Sequence, residues 1–173
     1  MAVKFTKPEI NVREKLAELD YGKVPYHKMP AGSVIQVVDK LFTPTSHVTT
    51  TSLTFVDMGD PFNLSISPKL SNSKILIDIM LNPYVAGNSA SGSYNIHNGS
   101  GQLGHASNGL GMVPATGASS GQFRRFNINA TDTASSTATI TYRIYQRSAT
   151  SGVTFYGNHS NMPNYIRLTE IAQ

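Results

Sequence analysis

The spacing of apolar residues changes once along the chain, close to residue 31. Before that point Val12, Leu16 and Leu19 recur at intervals of four and three residues, which is the period of an α-helix. After it, apolar and polar residues alternate, which is the period of a β-strand. The pattern predicts one N-terminal helix followed by an all-β body.

Start and stop signals bound the predicted helix. Thr6 is suited to cap its N-terminus, with Glu9 placed to reach back to the Thr6 amide and a proline in the first turn. Gly22 is a typical C-terminal stop. We therefore predict a helix over residues 7–20.

The helix has only a narrow apolar stripe, so about fourteen residues of this kind are marginal as an isolated helix in water. The stripe must pack either on the protein's own body or on another subunit or a larger assembly. Two prolines in "KVPYHKMP" then favour an extended connector. This divides the chain into residues 1–32, an anchor helix with its connector, and residues 33–173, a head domain. The residues of the predicted assembly anchor are Ile10, Val12, Leu16 and Leu19.

About nine segments of the head alternate as strands do. One face of the segment "SKILIDIML" carries Ile75, Ile77 and Ile79. One face of the segment "STATITYRIYQRS" carries Tyr142 and Ile144. Clusters of Gly, Ser, Asn and Pro at short intervals separate these segments. The sequence predicts an all-β fold, an antiparallel jelly-roll-like β-sandwich preceded by the short helix.

Charge and apolar runs exclude several classes of protein. The net charge is +4, and ten of the 24 charged residues lie within the first 30. No apolar run approaches the about 20 residues that span a bilayer, and the N-terminus lacks the apolar core of a secretory signal. We expect a protein made in a cytoplasm without a signal peptide and without membrane insertion.

Catalytic and metal-binding patterns are missing from the sequence. It has no cysteine, no Gly-x-Ser-x-Gly elbow and no phosphate-binding loop. His97 and His105 lie eight residues apart, but no Asp or Glu occurs between residues 79 and 131 to complete a metal site. We expect no enzyme activity, no catalytic residues, no metal and no cofactor.

Two sets of residues are candidates for recognition. The Gly/Ser/Asn-rich segment 86–121 carries Tyr94, His97 and His105, which we predict to face a receptor, although such loops also form subunit contacts or are poorly ordered. The second set, on one strand face, is Arg143, Tyr145 and Arg147. Basic and aromatic residues together can bind nucleic acid, but that role normally needs many more charges on one surface. We therefore expect an outer face or a subunit interface, and no nucleic acid.

Several stretches resemble one group of proteins. "MPAGSVIQVV", "TTTSLTFVDMG", "LSISPKLSNSKILIDIML" and the closing "YIRLTEIAQ" look like the β-sandwich module of tail-associated bacteriophage structural proteins, mainly of marine and cyanobacterial phages. "KFTKPEINVREKLAELD" is similar to the N-terminal segment of such virion proteins. The likeness is weak across residues 83–130.

This resemblance implies a virion protein without enzyme activity, either a short tail fibre or a capsid decoration protein, that forms a homotrimer. Its N-terminal segment would dock on other virion proteins of the capsid or tail, and its head would point outward. The alternative is a carbohydrate- or receptor-binding module that uses loops 86–121, and the two overlap because a fibre head can bind a host surface glycan.

Overall fold

A computed structural model describes residues 25–86, 90–115 and 121–173 of the chain. It is nearly all β, with half of the residues in strands that pair antiparallel, which confirms the predicted fold class. The helical structure within these ranges is a 3₁₀ turn at Tyr26–Lys28, so the connector is not extended throughout as predicted: a residue before a proline is constrained, but three of the four residues between the two prolines form a turn. The helix predicted over residues 7–20 lies outside the described residues.

Thirteen strands occur in the described ranges, and most of the long ones coincide with the alternating segments of the sequence. They are β1 Val34–Phe42, β2 Val48–Thr50, β3 Val56–Asp57, β4 Asn63–Ile66, β5 Lys74–Leu81, β6 Tyr84–Val85, β7 Gly92–His97, β8 Gly111–Val113, β9 Gln122–Phe123, β10 Phe126–Thr133, β11 Ile140–Ser148, β12 Phe155–Asn158 and β13 Asn164–Ile171.

Two of the sheets form a jelly roll. The first sheet has the strand order β1-β13-β5-β10, and the second has β3-β11-β7-β8, with β4 next to β3 along the same edge of β11. Successive long strands alternate between the sheets, and the first and last strands of the roll are neighbours. This order is that of a double-sheet jelly roll, in which two Greek keys share one core.

A third sheet, with the order β2-β12-β6-β9, is built entirely from connections. Its strands lie in the four connections that join β1 to β3, β5 to β7, β8 to β10 and β11 to β13. Because these strands pair with one another, the four connections meet at one end of the roll. The segment "GVTFYG" is a strand candidate in the sequence and contains most of β12, but strands of two or three residues, such as β6, contain too few alternations to recognise.

The core lies between the first two sheets. On β5 the predicted inward residues Ile75, Ile77 and Ile79 are each at most 3% exposed. Opposite them, on β11, Tyr142 and Ile144 are buried as predicted. Each strand therefore buries one side of its pleat, as the alternation requires.

A buried carboxylate joins the last strand to a loop. Glu170 on β13 accepts hydrogen bonds from the backbone N–H groups of Lys69 and Leu70, at 2.9 to 3.0 Å, and from Gln36 Nε2 at 2.6 Å. Burial works to raise the pKa of Glu170, but the hydrogen bonds from Lys69, Gln36, Leu70 and Ser73 together outweigh it and hold that pKa below its ordinary value. The connection between β4 and β5 is thereby tied to the sheet.

Candidate functional site

The connection 98–110, between β7 and β8, folds back onto its own sheet. The amide of Leu103 donates to the Ile96 carbonyl and the amide of Leu110 to the Tyr94 carbonyl, both at 2.8 Å. Beneath the loop the fully buried Asn95 accepts a hydrogen bond from the Gly104 amide at 2.8 Å and donates to Gln102 Oε1 at 3.0 Å. This glycine-rich segment is therefore held in a defined conformation.

Sequence reasoning missed Asn95. The signal was available, because Asn95 carries an amide and stands next to a Gly/Ser/Asn-rich loop with many backbone groups to satisfy. Buried polar side chains are hydrogen-bonded in native proteins, and here the partners come from the loop.

A cavity of about 360 Å³ lies between this loop and the segment 53–55 that precedes β3. Its walls include Leu53, Phe55, His97, Gln102 and Arg147. The cavity opens on the outer side of the second sheet, because His97 and Arg147 project away from the core of the roll. It brings together three parts of the chain that are far apart in sequence.

The three residues predicted on one strand face do share the outer face of β11. Arg143 Nη1 pairs with Asp57 Oδ2 at 3.3 Å, and the Tyr145 ring stacks on His97 with 3.9 Å between centroids. Arg147 lies over the Phe55 ring at 5.6 Å. Each side chain thus has a partner within the chain, and their role as a subunit interface stays a prediction.

Arg147 differs from Arg143 in its partners. Its Nη1 donates to the Leu53 carbonyl at 3.2 Å, while its Nε is buried and has no hydrogen-bond partner among the described residues. No carboxylate of the described chain forms an ion pair with Arg147, whereas Arg143 has Asp57. Arg147 is therefore a cation with unused donors at the wall of the cavity.

The predicted receptor-facing set divides in the structure. The placement of Tyr94 at a receptor was wrong, because Tyr94 belongs to β7, is 0% exposed and donates its hydroxyl proton to the Gly157 carbonyl at 2.5 Å. Burial raises the pKa of Tyr94. His105 is exposed in the loop, where its Nδ1 accepts from the amides of Ser107 and Asn108. Of the three, His97 alone lines the cavity.

The outer face of the first sheet carries apolar side chains. Val37 is 50% and Leu41 is 73% exposed. Cross-strand pairing places them in line with further partly exposed apolar side chains on β13 and β5. The seven apolar residues of this outer apolar face are Val34, Val37, Leu41, Leu76, Met80, Tyr165 and Ile171.

A row of charges crosses the middle of the outer apolar face. Asp39 on β1, Arg167 on β13 and Asp78 on β5 lie side by side, and Arg167 Nη2 is 3.5 Å from Asp39 Oδ2. Asn129 on β10 continues the row by donating to Asp78 Oδ1 at 2.6 Å. Apolar rows therefore flank a polar one on this surface.

Five aromatic rings meet on the third sheet. The ring centroids of Tyr84 and Phe123 are 5.2 Å apart, those of Tyr84 and Tyr156 are 5.7 Å apart, and those of His47 and His159 are 4.3 Å apart. These contacts join all four connections that build the sheet. They stabilise this end of the roll, where backbone pairing is short.

The predicted anchor residues, Ile10, Val12, Leu16 and Leu19, lie outside the described residues. Within the described ranges, no three His, Asp or Glu side chains are grouped closely enough to hold a metal ion. No helix in those ranges has the length and apolarity needed to cross a membrane.

The fold thus defines a jelly roll whose two sheets have four and five strands, with a third sheet added at one end. No family model matches the chain, and no curated protein does. Two solved structures that resemble it are a subviral particle of infectious bursal disease virus VP2, with a TM-score of 0.40 and 11% identity over 82% of this chain, and infectious bursal disease virus strain Gx, with 0.37 and 10% over 80%. This chain spans 38% of the length of each. The likenesses are remote, and the jelly-roll assignment rests on the strand order of this chain.

Proposed function

We propose that this chain is a non-enzymatic structural protein of a virus particle, in which a jelly-roll head assembles with copies of itself and a separate N-terminal segment attaches it to the particle. The observation that carries the proposal is the outer apolar face of the first sheet. Double-sheet jelly rolls build viral capsid proteins as well as lectins and cupins. The resemblance of several strand segments to bacteriophage virion modules favours the first of these uses. We therefore expect the particle to be that of a phage.

The outer apolar face is suited to contact between copies. Several exposed apolar side chains grouped on one face of a soluble protein are typical of an interaction site. Leu41 at 73% exposure and Val37 at 50% are large side chains that water contacts in the isolated chain. The charged row with Asp39 and Arg167 lies between the apolar rows. Its charges can form ion pairs that fix the register of a partner. A homotrimer closes such contacts in a ring.

Light scattering coupled to size exclusion tests this assembly on the full chain. The wild type is expected to elute as a trimer, and Leu41→Lys to elute as a monomer with unchanged circular dichroism. Met112→Lys is the matched control, because Met112 is also apolar and 56% exposed but lies on the second sheet. A monomeric wild type, or loss of the trimer in the control alone, contradicts the proposed interface.

Attachment through the N-terminal segment needs a head that folds without it. Among the described residues, every buried hydrophobic side chain lies between Met58 and Ala172. The first backbone hydrogen bond that ties the connector to the roll is Gly32 N–H to the Ala172 carbonyl, at 2.9 Å. We therefore expect the head to fold without residues 1–22.

Deletion of residues 1–22 separates attachment from folding. The shortened chain is expected to keep its thermal unfolding midpoint within about 2 °C and its oligomeric state, while it no longer incorporates into particles produced with the other virion proteins. Unfolding of the shortened chain would place the helix in the core. Continued incorporation would place the attachment surface on the head instead.

A further inference from the structure

We propose that the cavity between loop 98–110 and the segment 53–55 binds a saccharide that carries a carboxylate group. The inference goes beyond a structural role and is independent of it, since it depends on the chemistry of Arg147 and its neighbours. The cavity's volume of about 360 Å³ lies within the range of about 300–1,000 Å³ typical of small-molecule sites.

The anionic group is assigned from the state of Arg147. A guanidinium has five N–H donors, and here one of them, on Nη1, bonds to the Leu53 carbonyl. The Nε–H is buried without a partner, and leaving such a donor unsatisfied is unfavourable. The terminal nitrogens have further N–H groups that bond to no described residue, and a carboxylate in the cavity can accept from both of these nitrogens in the bidentate geometry that arginine prefers.

The surroundings of Arg147 leave that charge uncompensated. None of the side chains that line the cavity is acidic. The carboxylate of Asp57, on the same outer face, is engaged by Arg143 at 3.3 Å. Gln102 accepts from Asn95 through Oε1, and its amide nitrogen donates to no described residue. The site therefore offers a cation and a free amide donor to an incoming anion.

The saccharide is assigned from the mixture of the remaining walls. Leu53 and Phe55 supply apolar surface, while Thr54 and Ser107 supply hydroxyl groups. A sugar ring has an apolar face of C–H groups and a rim of hydroxyls, which needs both kinds of wall at once. His97, held parallel to Tyr145 at 3.9 Å, adds a ring that is fixed in orientation and can exchange hydrogen bonds with hydroxyls.

The site is preorganised by contacts already in place. Asn95 holds the loop through Gly104 and Gln102, and Phe55 supports the Arg147 guanidinium from below at 5.6 Å. A fixed loop and a guanidinium held over an aromatic ring lose little conformational freedom when a ligand enters. Weak but specific binding of a single sugar unit is therefore expected.

Titration calorimetry and ligand-observed NMR on the full chain test the site with two matched probes. Methyl β-D-glucuronide and methyl β-D-glucoside differ in a carboxylate against a hydroxymethyl group. The glucuronide is expected to bind with a Kd on the order of 1 mM, and the glucoside about tenfold more weakly or not at all. Sodium acetate is the third probe, which tests whether the carboxylate suffices without the ring.

Variants on one strand face complete the test. Arg147→Gln is expected to weaken glucuronide binding by about tenfold or more, because a charge-assisted pair is lost. Arg147→Lys keeps the charge but loses the bidentate geometry, so it is expected to fall between wild type and Arg147→Gln. The matched control is Arg143→Gln. Arg143 lies on the same face of β11, four residues before Arg147, but is paired with Asp57, so its substitution should change the Kd less than about twofold.

Four results would overturn the proposal. These are equal binding of the glucoside, acetate binding as tight as that of the glucuronide, loss of binding in Arg143→Gln to the same extent as in Arg147→Gln, and absence of any binding at about tenfold above the expected Kd. If Arg147→Gln fails to fold, as circular dichroism would show, Arg147→Lys and Phe55→Ala carry the comparison. None of these results bears on whether the head forms a trimer.

Discussion

The hydroxyl of Tyr142 on β11 donates a hydrogen bond to Asp132 Oδ2 on β10, at 3.0 Å, and so joins the two sheets of the roll at one end of the core. The same carboxylate oxygen accepts from Asn98 Nδ2 at 2.8 Å, at the start of the cavity loop. Burial, followed by the negative charge of Asp132 and the hydrogen bond to it, raises the pKa of Tyr142, so the phenol remains a donor across the physiological range.

Removal of this hydroxyl should destabilise the head. Tyr142→Phe leaves the partly buried Asp132 with one donor fewer, and we expect the free energy of unfolding to fall by about 1–2 kcal/mol in urea at pH 7. Tyr145→Phe is the matched control, since the Tyr145 hydroxyl bonds to no described residue and its loss should matter by less than about 0.5 kcal/mol. Equal losses of unfolding free energy in both variants would show that the hydrogen bond to Asp132 does not stabilise the fold.

The Glu170 carboxylate should make stability depend on pH. Its pKa in the folded state lies below the ordinary value of 4.5, so its contribution is complete above that value and is lost as the pH falls through the folded-state pKa. Glu170→Gln is expected to lower the free energy of unfolding by about 2–3 kcal/mol at pH 7, because the amide cannot accept all the bonds made by the carboxylate.

The gap between wild type and Glu170→Gln should narrow when unfolding is measured at progressively lower pH. Asp39→Asn is the control, because Asp39 makes only an exposed pair with Arg167 and should contribute less than about 1 kcal/mol at any pH. A gap that stays constant down to acid pH would mean that the charge on Glu170 is not what stabilises the fold.

Two glycines of the cavity loop should respond differently to substitution. Gly109 has φ +68°, and a Cβ there would collide with the carbonyl oxygen of Tyr94, whereas a Cβ on Gly101 meets nothing within 4 Å. Gly109→Ala is expected to lower stability by about 2 kcal/mol or more and to speed hydrogen exchange at the Leu103 and Leu110 amides. Gly101→Ala should leave both measurements near wild type, and similar effects in the two variants would argue against the loop conformation.

The ring cluster should hold the third sheet together. The Tyr84 ring contacts those of Phe123, Tyr156 and His159 at centroid distances of 5.2 to 5.7 Å. Because Tyr84→Ala removes these contacts, we expect it to lower the free energy of unfolding, measured by chemical denaturation, by about 2–3 kcal/mol. Tyr84→Phe keeps the ring and should remain within about 1 kcal/mol of wild type. A large loss in Tyr84→Phe would instead assign the stability to the hydroxyl.

How far the sequence predicted the fold varies between elements. The inward faces of β5 and β11 were readable, because eight and nine consecutive residues alternate there. In the third sheet only β12 falls largely within a candidate segment, because β2, β6 and β9 have two or three residues each. Tyr94 was predicted to face a receptor because it lies in the Gly/Ser/Asn-rich segment 86–121, yet those small residues allow a buried strand on which the loop folds back.

The candidate site was only partly predictable for the same reason. His97 and Arg147 were singled out from their residue types, and both line the cavity. Phe55, Gln102 and the supporting Asn95 were not, because nothing in their local sequence links Phe55, for example, to Arg147, which lies 92 positions later (147 − 55). The predicted N-terminal anchor and the 1–32 boundary stay predictions, to be tested by the deletion described above.

The sequence by itself determined that the body is all-β and which side of each long strand faces inward, because alternation is a property of consecutive residues and each strand buries one face whatever its neighbours are. Only the tertiary structure decided that β1 pairs with β13, that Arg143 is neutralised by Asp57, and that Arg147 is left with free donors beside a cavity. Those outcomes depend on contacts between distant segments, and the hydrophobic effect that drives them is non-directional and does not specify the partner of each polar group.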